Sequence, residues 1–146
     1  PKEIKAVLAH EIGHYKHNHI IKSLFISTVV IFLGMFCLSS LINNSSYLEF
    51  LNLPMNEASQ LIALFFTYQV ISFFIEPFFS ILSRRNEYEA DKFASKQVDK
   101  EHLVTSLIKL YKSNLSFLIP NKLYAMFYFS HPTILERINN LRRSDD

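Results

Sequence analysis

Two long segments with almost no charged side chains constrain this chain more than any other feature. Residues 23–42 contain no charge, and residues 58–83 contain none until Glu76, which Pro77 follows. A helix needs about 20 apolar residues to cross a bilayer core of about 30 Å. Neither segment carries the polar stripe of an amphipathic helix. The sequence therefore predicts transmembrane spans at about 23–42 and 60–82, with a pair of buried core helices as the alternative.

Basic residues on the flanks predict the orientation of these spans. Lys22 precedes the first span and Arg84 follows the second, whereas the connecting loop, 43–59, contains no Lys or Arg. Basic residues favour the cytoplasmic side of a membrane. We therefore expect a transmembrane hairpin with both outer ends in the cytoplasm.

The remaining segments predict an all-α protein. Helical periodicity or composition favours helices at 1–20, 84–98 and 101–113, and a last helix after Pro132. The aromatic-rich stretch 123–132 is interpreted as extended.

Composition excludes little. The formal net charge of +2 gives no support for nucleic-acid binding, and the single cysteine permits no internal disulfide. Because the chain starts at Pro1 rather than Met, we expect a fragment of a longer protein.

Histidines cluster just before the first span, where residues 8–19 hold four of the six in the chain. His10, Glu11 and His14 form the pattern H-E-x-x-H. On a helix, residues four apart share a face, so two imidazoles can bind one zinc ion while the glutamate reaches a water. The alternative is an accidental pair of surface histidines.

A hydrolytic zinc site usually has three protein ligands. His17 and His19 are badly placed to complete a tetrahedron, and we interpret both as polar residues at the membrane interface. Downstream, Glu87 and Asp91 share a helical face, whereas Glu89 points elsewhere. One carboxylate can bind zinc while the other holds a ligand histidine, although a solvated charged helix is equally compatible with this stretch alone.

Topology favours the metal site. Two membrane crossings return the chain to the side it left, so the H-E-x-x-H helix and the Glu87 helix emerge at the same face and can meet.

Three segments together resemble the M48 metallopeptidases, in particular the CAAX prenyl protease 1 group: "AHEIGHYKHNH", "SRRNEYEADKFA" and "FSHPTILERI". The resemblance implies one zinc ion per chain, bound by His10, His14 and Glu87. It implies that Glu11 is the general base and that Asp91 orients a ligand histidine. His131 and Arg137 would lie at the active site and help to hold the substrate and its developing oxyanion.

The resemblance also implies a function. The chain would be a single peptidase domain over 1–146, the C-terminal portion of a zinc-dependent membrane endopeptidase. Its substrates would be peptides or proteins, with CaaX-type processing of prenylated ones, and its active site would face the cytoplasm. We expect a bacterial inner membrane, although an endoplasmic reticulum membrane would give the same pattern. The alternatives are an HtpX-like quality-control endopeptidase and a non-catalytic membrane metal-binding protein.

Overall fold

Seven helices and no strand form the part of the chain that the computed structural model describes, residues 2–114 and 121–143. The predicted all-α class is confirmed. The helices are α1 (Lys2–Lys16), α2 (His19–Ile42), α3 (Ser45–Phe50), α4 (Glu57–Gln97), α5 (Lys100–Asn114), α6 (Lys122–Tyr128) and α7 (Ile134–Arg143).

The described chain divides into two compact units. The site unit comprises residues up to Ile20 and from Pro77 onward, and the apolar unit comprises residues 21–76. The boundary at Pro77 falls inside α4, which continues through this proline.

The apolar unit contains most of the hydrophobic helical surface. Both α2 and α4 are long and apolar enough to cross a membrane, and only 6% of the most apolar 18-residue stretch of each helix is buried. Within this unit Gln60 donates a hydrogen bond to Asn43, and Leu48 of α3 is fully buried. Two candidate membrane helices therefore match the predicted spans, while α3, which Asn44 caps, lies in a loop where the sequence predicted only turns.

The site unit has a conventional packed core. Small residues of α1 and α4 meet leucines of α5 and α7: Ala6, Ala9, Ala94, Leu103, Leu107 and Leu141. Gly13 permits the closest approach, because a Cβ added there would lie 3.0 Å from the Cα of Ala90. The small residues thus allow α1 to lie directly on α4.

Two local predictions are wrong. A single helix over 1–20 is replaced by a break at 17–18, where Asn18 adopts a positive φ of 54°, a conformation that asparagine tolerates better than most residues. The stretch 123–132 is not extended throughout, because α6 covers its first half. The side chain of Asn121 accepts a hydrogen bond from the backbone N–H of Leu123, and this cap outweighs the strand preference of the aromatic residues.

The last helix begins with a reciprocal cap. The backbone N–H of Thr133 donates to the carboxylate of Glu136, and the backbone N–H of Glu136 donates to the hydroxyl of Thr133. This capping box starts α7 just after Pro132. Arg137 follows in the first turn of this helix.

Candidate metal centre

Two helices of the site unit supply the predicted metal ligands. His10 and His14 lie one turn apart on α1, and Glu87 lies on the C-terminal half of α4. His10 Nε2 lies 3.2 Å from His14 Nε2 and 3.6 Å from Glu87 Oε2, and His14 Nε2 lies 3.5 Å from Glu87 Oε1. Glu87 is only 6% exposed. The structure therefore brings together the three residues that the sequence proposed as ligands.

These spacings fit a tetrahedral zinc ion. Two ligand atoms about 2.1 Å from one ion, at the tetrahedral angle, lie about 3.4 Å apart. All three observed separations fall close to this value. Two imidazole nitrogens and one carboxylate are also a donor set that zinc prefers, so the residues present fit the metal.

Asp91 determines which nitrogen of His10 is free. Its Oδ1 lies 2.9 Å from His10 Nδ1. Burial alone would raise the pKa of Asp91, but hydrogen bonds from His10 and Arg137 outweigh it and lower that pKa. An ionised carboxylate requires a proton on Nδ1, which leaves the lone pair of His10 on Nε2, facing His14 and Glu87.

Arg137 of α7 balances the buried carboxylates. Its Nε and Nη2 donate to the two oxygens of Asp91 at 2.8 Å and 2.6 Å, and its Nη1 lies 3.0 Å from Glu87 Oε2. Although burial alone would lower the pKa of Arg137, its partners Asp91 and Glu87 raise it. The guanidinium is thus held by two carboxylates, which favours a positioning role over direct contact with a substrate.

The surroundings of His14 favour its neutral form. Burial, followed by the neighbouring His10, lowers its pKa. A neutral imidazole is the form that binds a metal.

His131 and Glu11 occupy more open positions. The side chain of His131 is 67% exposed, and its Nε2 lies 3.5 Å from Glu87 Oε1. Glu11 is exposed on α1. Both line an open cavity of about 900 Å³, together with His10, His14, Glu87 and Arg137. Apolar residues of α1 and α5, including Val7 and Leu107, also line this cavity.

The sequence interpretation missed one buried residue. His19 was expected at a membrane interface, but it is 3% exposed and packs against His14. The available signal was Asn18, because a left-handed residue there turns the following side chain back toward α1.

Comparison with known proteins identifies a family for this chain. Residues 1–145 match peptidase family M48. The CAAX prenyl protease 1 homolog of Homo sapiens is 36% identical over 149 residues, which cover 97% of this chain and 30% of that protein. CAAX prenyl protease 1 of Saccharomyces cerevisiae is 30% identical over 155 residues, covering 95% of this chain and 34% of that protein.

The chain also matches a solved structure. The crystal structure of S. mikatae Ste24p matches with a TM-score of 0.79 and 33% sequence identity, covering 95% of this chain and 35% of that chain. The chain thus spans about a third of the length of these relatives. All three come from eukaryotes, so the expected bacterial inner membrane finds no support. The chain belongs to peptidase family M48.

Proposed function

We propose that this chain is the zinc-binding catalytic portion of a membrane endopeptidase. The observation that carries the proposal is the spacing of His10, His14 and Glu87, whose ligand atoms lie within 4.8 Å of one another at the wall of the cavity. One zinc ion there would supply a Lewis acid and make a water molecule more acidic.

The chain's own residues have distinct roles in this proposal. The Glu11 carboxylate, on the cavity wall, accepts a proton from the attacking water and returns it to the leaving amine nitrogen. His131, exposed beside Glu87, donates a hydrogen bond to the developing oxyanion. Arg137 lines the same cavity, and its contacts with Asp91 and Glu87 hold those carboxylates in place.

The proposed substrate is a peptide or protein that binds in the cavity in an extended form. The apolar residues that line the cavity suit aliphatic side chains, and the similar proteins of Homo sapiens and Saccharomyces cerevisiae are named CAAX prenyl proteases. We therefore propose CaaX-type processing. The alternative, a quality-control endopeptidase of the HtpX kind, would cleave an unmodified loop peptide as well as a prenylated CaaX peptide, and a direct comparison of the two substrates distinguishes them.

The proposed location is a eukaryotic membrane such as the endoplasmic reticulum. The two apolar helices support membrane insertion, and the basic flanks support a cytoplasmic active site. A single peptidase domain over 1–146 remains part of the proposal.

The first experiment is a measurement of zinc content in detergent-purified protein. We expect one zinc per chain in the wild type and loss of zinc in Glu87→Gln. The matched control is Glu101→Gln, which changes an exposed carboxylate on α5. Equal zinc content in the two variants would refute the ligand assignment.

The second experiment tests catalysis. Glu11→Gln should keep zinc and lose peptide cleavage, because an amide cannot accept the proton. Full activity in Glu11→Gln would refute the assignment of Glu11 as the general base. Absence of cleavage by the zinc-loaded wild type as well would favour a non-catalytic metal-binding protein, which needs no such base.

A further inference from the structure

A second group of polar side chains lies directly behind the metal centre. His19, at the start of α2, has its Nδ1 3.0 Å from His14 Nδ1 and its Nε2 3.2 Å from Glu89 Oε2. These two contacts form a continuous hydrogen-bond relay from Glu89 through His19 to His14. The helix break at Asn18 creates this arrangement, because it places His19 against α1 rather than one turn further along the same helix.

The proton positions along this hydrogen-bond relay follow from metal binding by His14. If His14 binds the metal through Nε2 as a neutral imidazole, its proton is on Nδ1. His14 Nδ1–H then donates to His19 Nδ1, which must be the acceptor. His19 therefore carries its proton on Nε2, where the carboxylate of Glu89 accepts it. Each nitrogen has one role, and no buried ring nitrogen of His19 is left without a partner.

We propose that His19 is a positioning residue that, with Glu89, holds the ring and tautomer of His14 in the metal-binding form. The proposal rests on the metal centre of the proposed function. Asp91 gives the same support to His10 through a direct hydrogen bond at 2.9 Å. Both histidine ligands on α1 are thus oriented through Nδ1, one by a carboxylate and the other by a histidine backed by a carboxylate.

His17 provides the contrast that makes the inference specific. Its side chain is 41% exposed, stacks on the ring of His19, and has its Nδ1 3.9 Å from Glu89 Oε2. That distance is too long for a hydrogen bond. The proposal therefore gives His17 no part in orienting His14.

A second metal ion is the main competing explanation. His17, His19 and Glu89 place three ligand atoms within 4.8 Å of one another. However, a metal on His19 Nε2 would move the proton of His19 to Nδ1, which faces His14 Nδ1. His14 would then have to carry its proton on Nε2 and could not bind the first metal. With neutral imidazoles in this arrangement, the two sites exclude each other.

The test measures zinc stoichiometry and affinity in the detergent-purified chain, by metal analysis and by competition with a chromophoric chelator. His19→Leu removes the acceptor for His14, whereas His19→Asn retains one near the position of Nδ1. We expect one zinc per wild-type chain, a loss of affinity of about 10- to 100-fold in His19→Leu, and recovery of most of it in His19→Asn. The visible spectrum of the cobalt-substituted protein should change in His19→Leu, because His14 loses its fixed orientation.

His17→Leu is the matched control and should bind one zinc with unchanged affinity. Two zinc ions per wild-type chain, reduced to one in His17→Leu, would overturn the proposal in favour of the second metal site. Unchanged affinity in a folded His19→Leu protein would also overturn it. If His19→Leu does not fold, the zinc affinities of His19→Asn and Glu89→Gln decide. The proposal is supported if His19→Asn binds zinc with near wild-type affinity and Glu89→Gln loses affinity several-fold. Any other pattern rejects it. Absence of zinc from the wild type, or its retention in Glu87→Gln, would instead refute the metal centre itself.

Discussion

Replacing Gly13 with alanine should loosen the contact between α1 and α4 on which the metal centre depends. A Cβ at this position would lie 3.0 Å from the Cα of Ala90, 3.1 Å from its carbonyl oxygen and 3.3 Å from the Cβ of Phe93. Carbon atoms pack best at about 3.5–4.0 Å. Since two of the three neighbours are backbone atoms, we expect α1 and α4 to separate by a few tenths of an ångström.

The expected loss of stability is the difference between two opposing effects. Overpacking a tight contact costs about 1–3 kcal/mol. Replacing glycine with alanine inside a helix recovers up to about 1 kcal/mol. We therefore expect a net loss of about 1 kcal/mol, which lowers the melting temperature of a chain of this size by about 2–4 °C.

The substitution should also lower the zinc affinity, because the metal ligands are sensitive to small displacements. Metal ligands tolerate displacements of about 0.2 Å, and Gly13 lies next to His14 in the same helical turn. Because the carboxylate of Glu87 is carried by α4, separating the helices lengthens the distance between the His14 and Glu87 ligand atoms. We expect zinc affinity to fall by about tenfold or more, which corresponds to about 1.4 kcal/mol.

Gly34→Ala is the matched control, because a Cβ added to Gly34 has no neighbour within 4 Å. The assays are thermal unfolding of the metal-free protein and chelator competition for zinc, both in detergent. Gly34→Ala should leave zinc affinity unchanged. Equal melting temperatures and equal zinc affinities in the two variants would refute the argument that Gly13 is required for the helix contact.

Three further predictions follow from the site unit. Arg137→Met leaves the buried carboxylates of Asp91 and Glu87 without their cation and should lower the free energy of unfolding by about 3–5 kcal/mol; a loss below about 1 kcal/mol in denaturant unfolding would contradict the role given to Arg137. Lys109→Met removes the hydrogen bond that lowers the pKa of Glu3. Because a lowered carboxyl pKa stabilises the fold above the unfolded value of 4.5 and this is lost as pH falls through the folded value, the difference in melting temperature between wild type and Lys109→Met should be present at neutral pH and vanish in acid. If the difference in melting temperature grew as the pH fell, it would contradict the proposed effect of Lys109 on Glu3. Removal of zinc by a chelator should lower the melting temperature of the wild type, since zinc at 100 times its Kd adds about 2.7 kcal/mol, and should leave that of Glu87→Gln unchanged.

Local sequence patterns predicted the elements whose cause is local. The apolar segments predicted two long helices, because their length and lack of charge depend on no other part of the chain. The spacing of His10 and His14 predicted a shared helical face for the same reason. The prediction failed at 123–132, where the capping side chain of Asn121 lies outside the aromatic stretch, and at Asn18, whose left-handed backbone interrupts an otherwise helical pattern.

The sequence by itself therefore determined the all-α class, the two apolar helices and the pairs of residues that share a helical face. Only the tertiary structure decided which faces meet: that Glu87 lies beside both histidines, that Arg137 joins Glu87 to Asp91, and that His19 lies against His14. The physical reason is that helix formation depends on neighbouring residues, whereas these contacts join residues on different helices. They depend on how closely α1 can approach α4, which Gly13 and Ala90 permit.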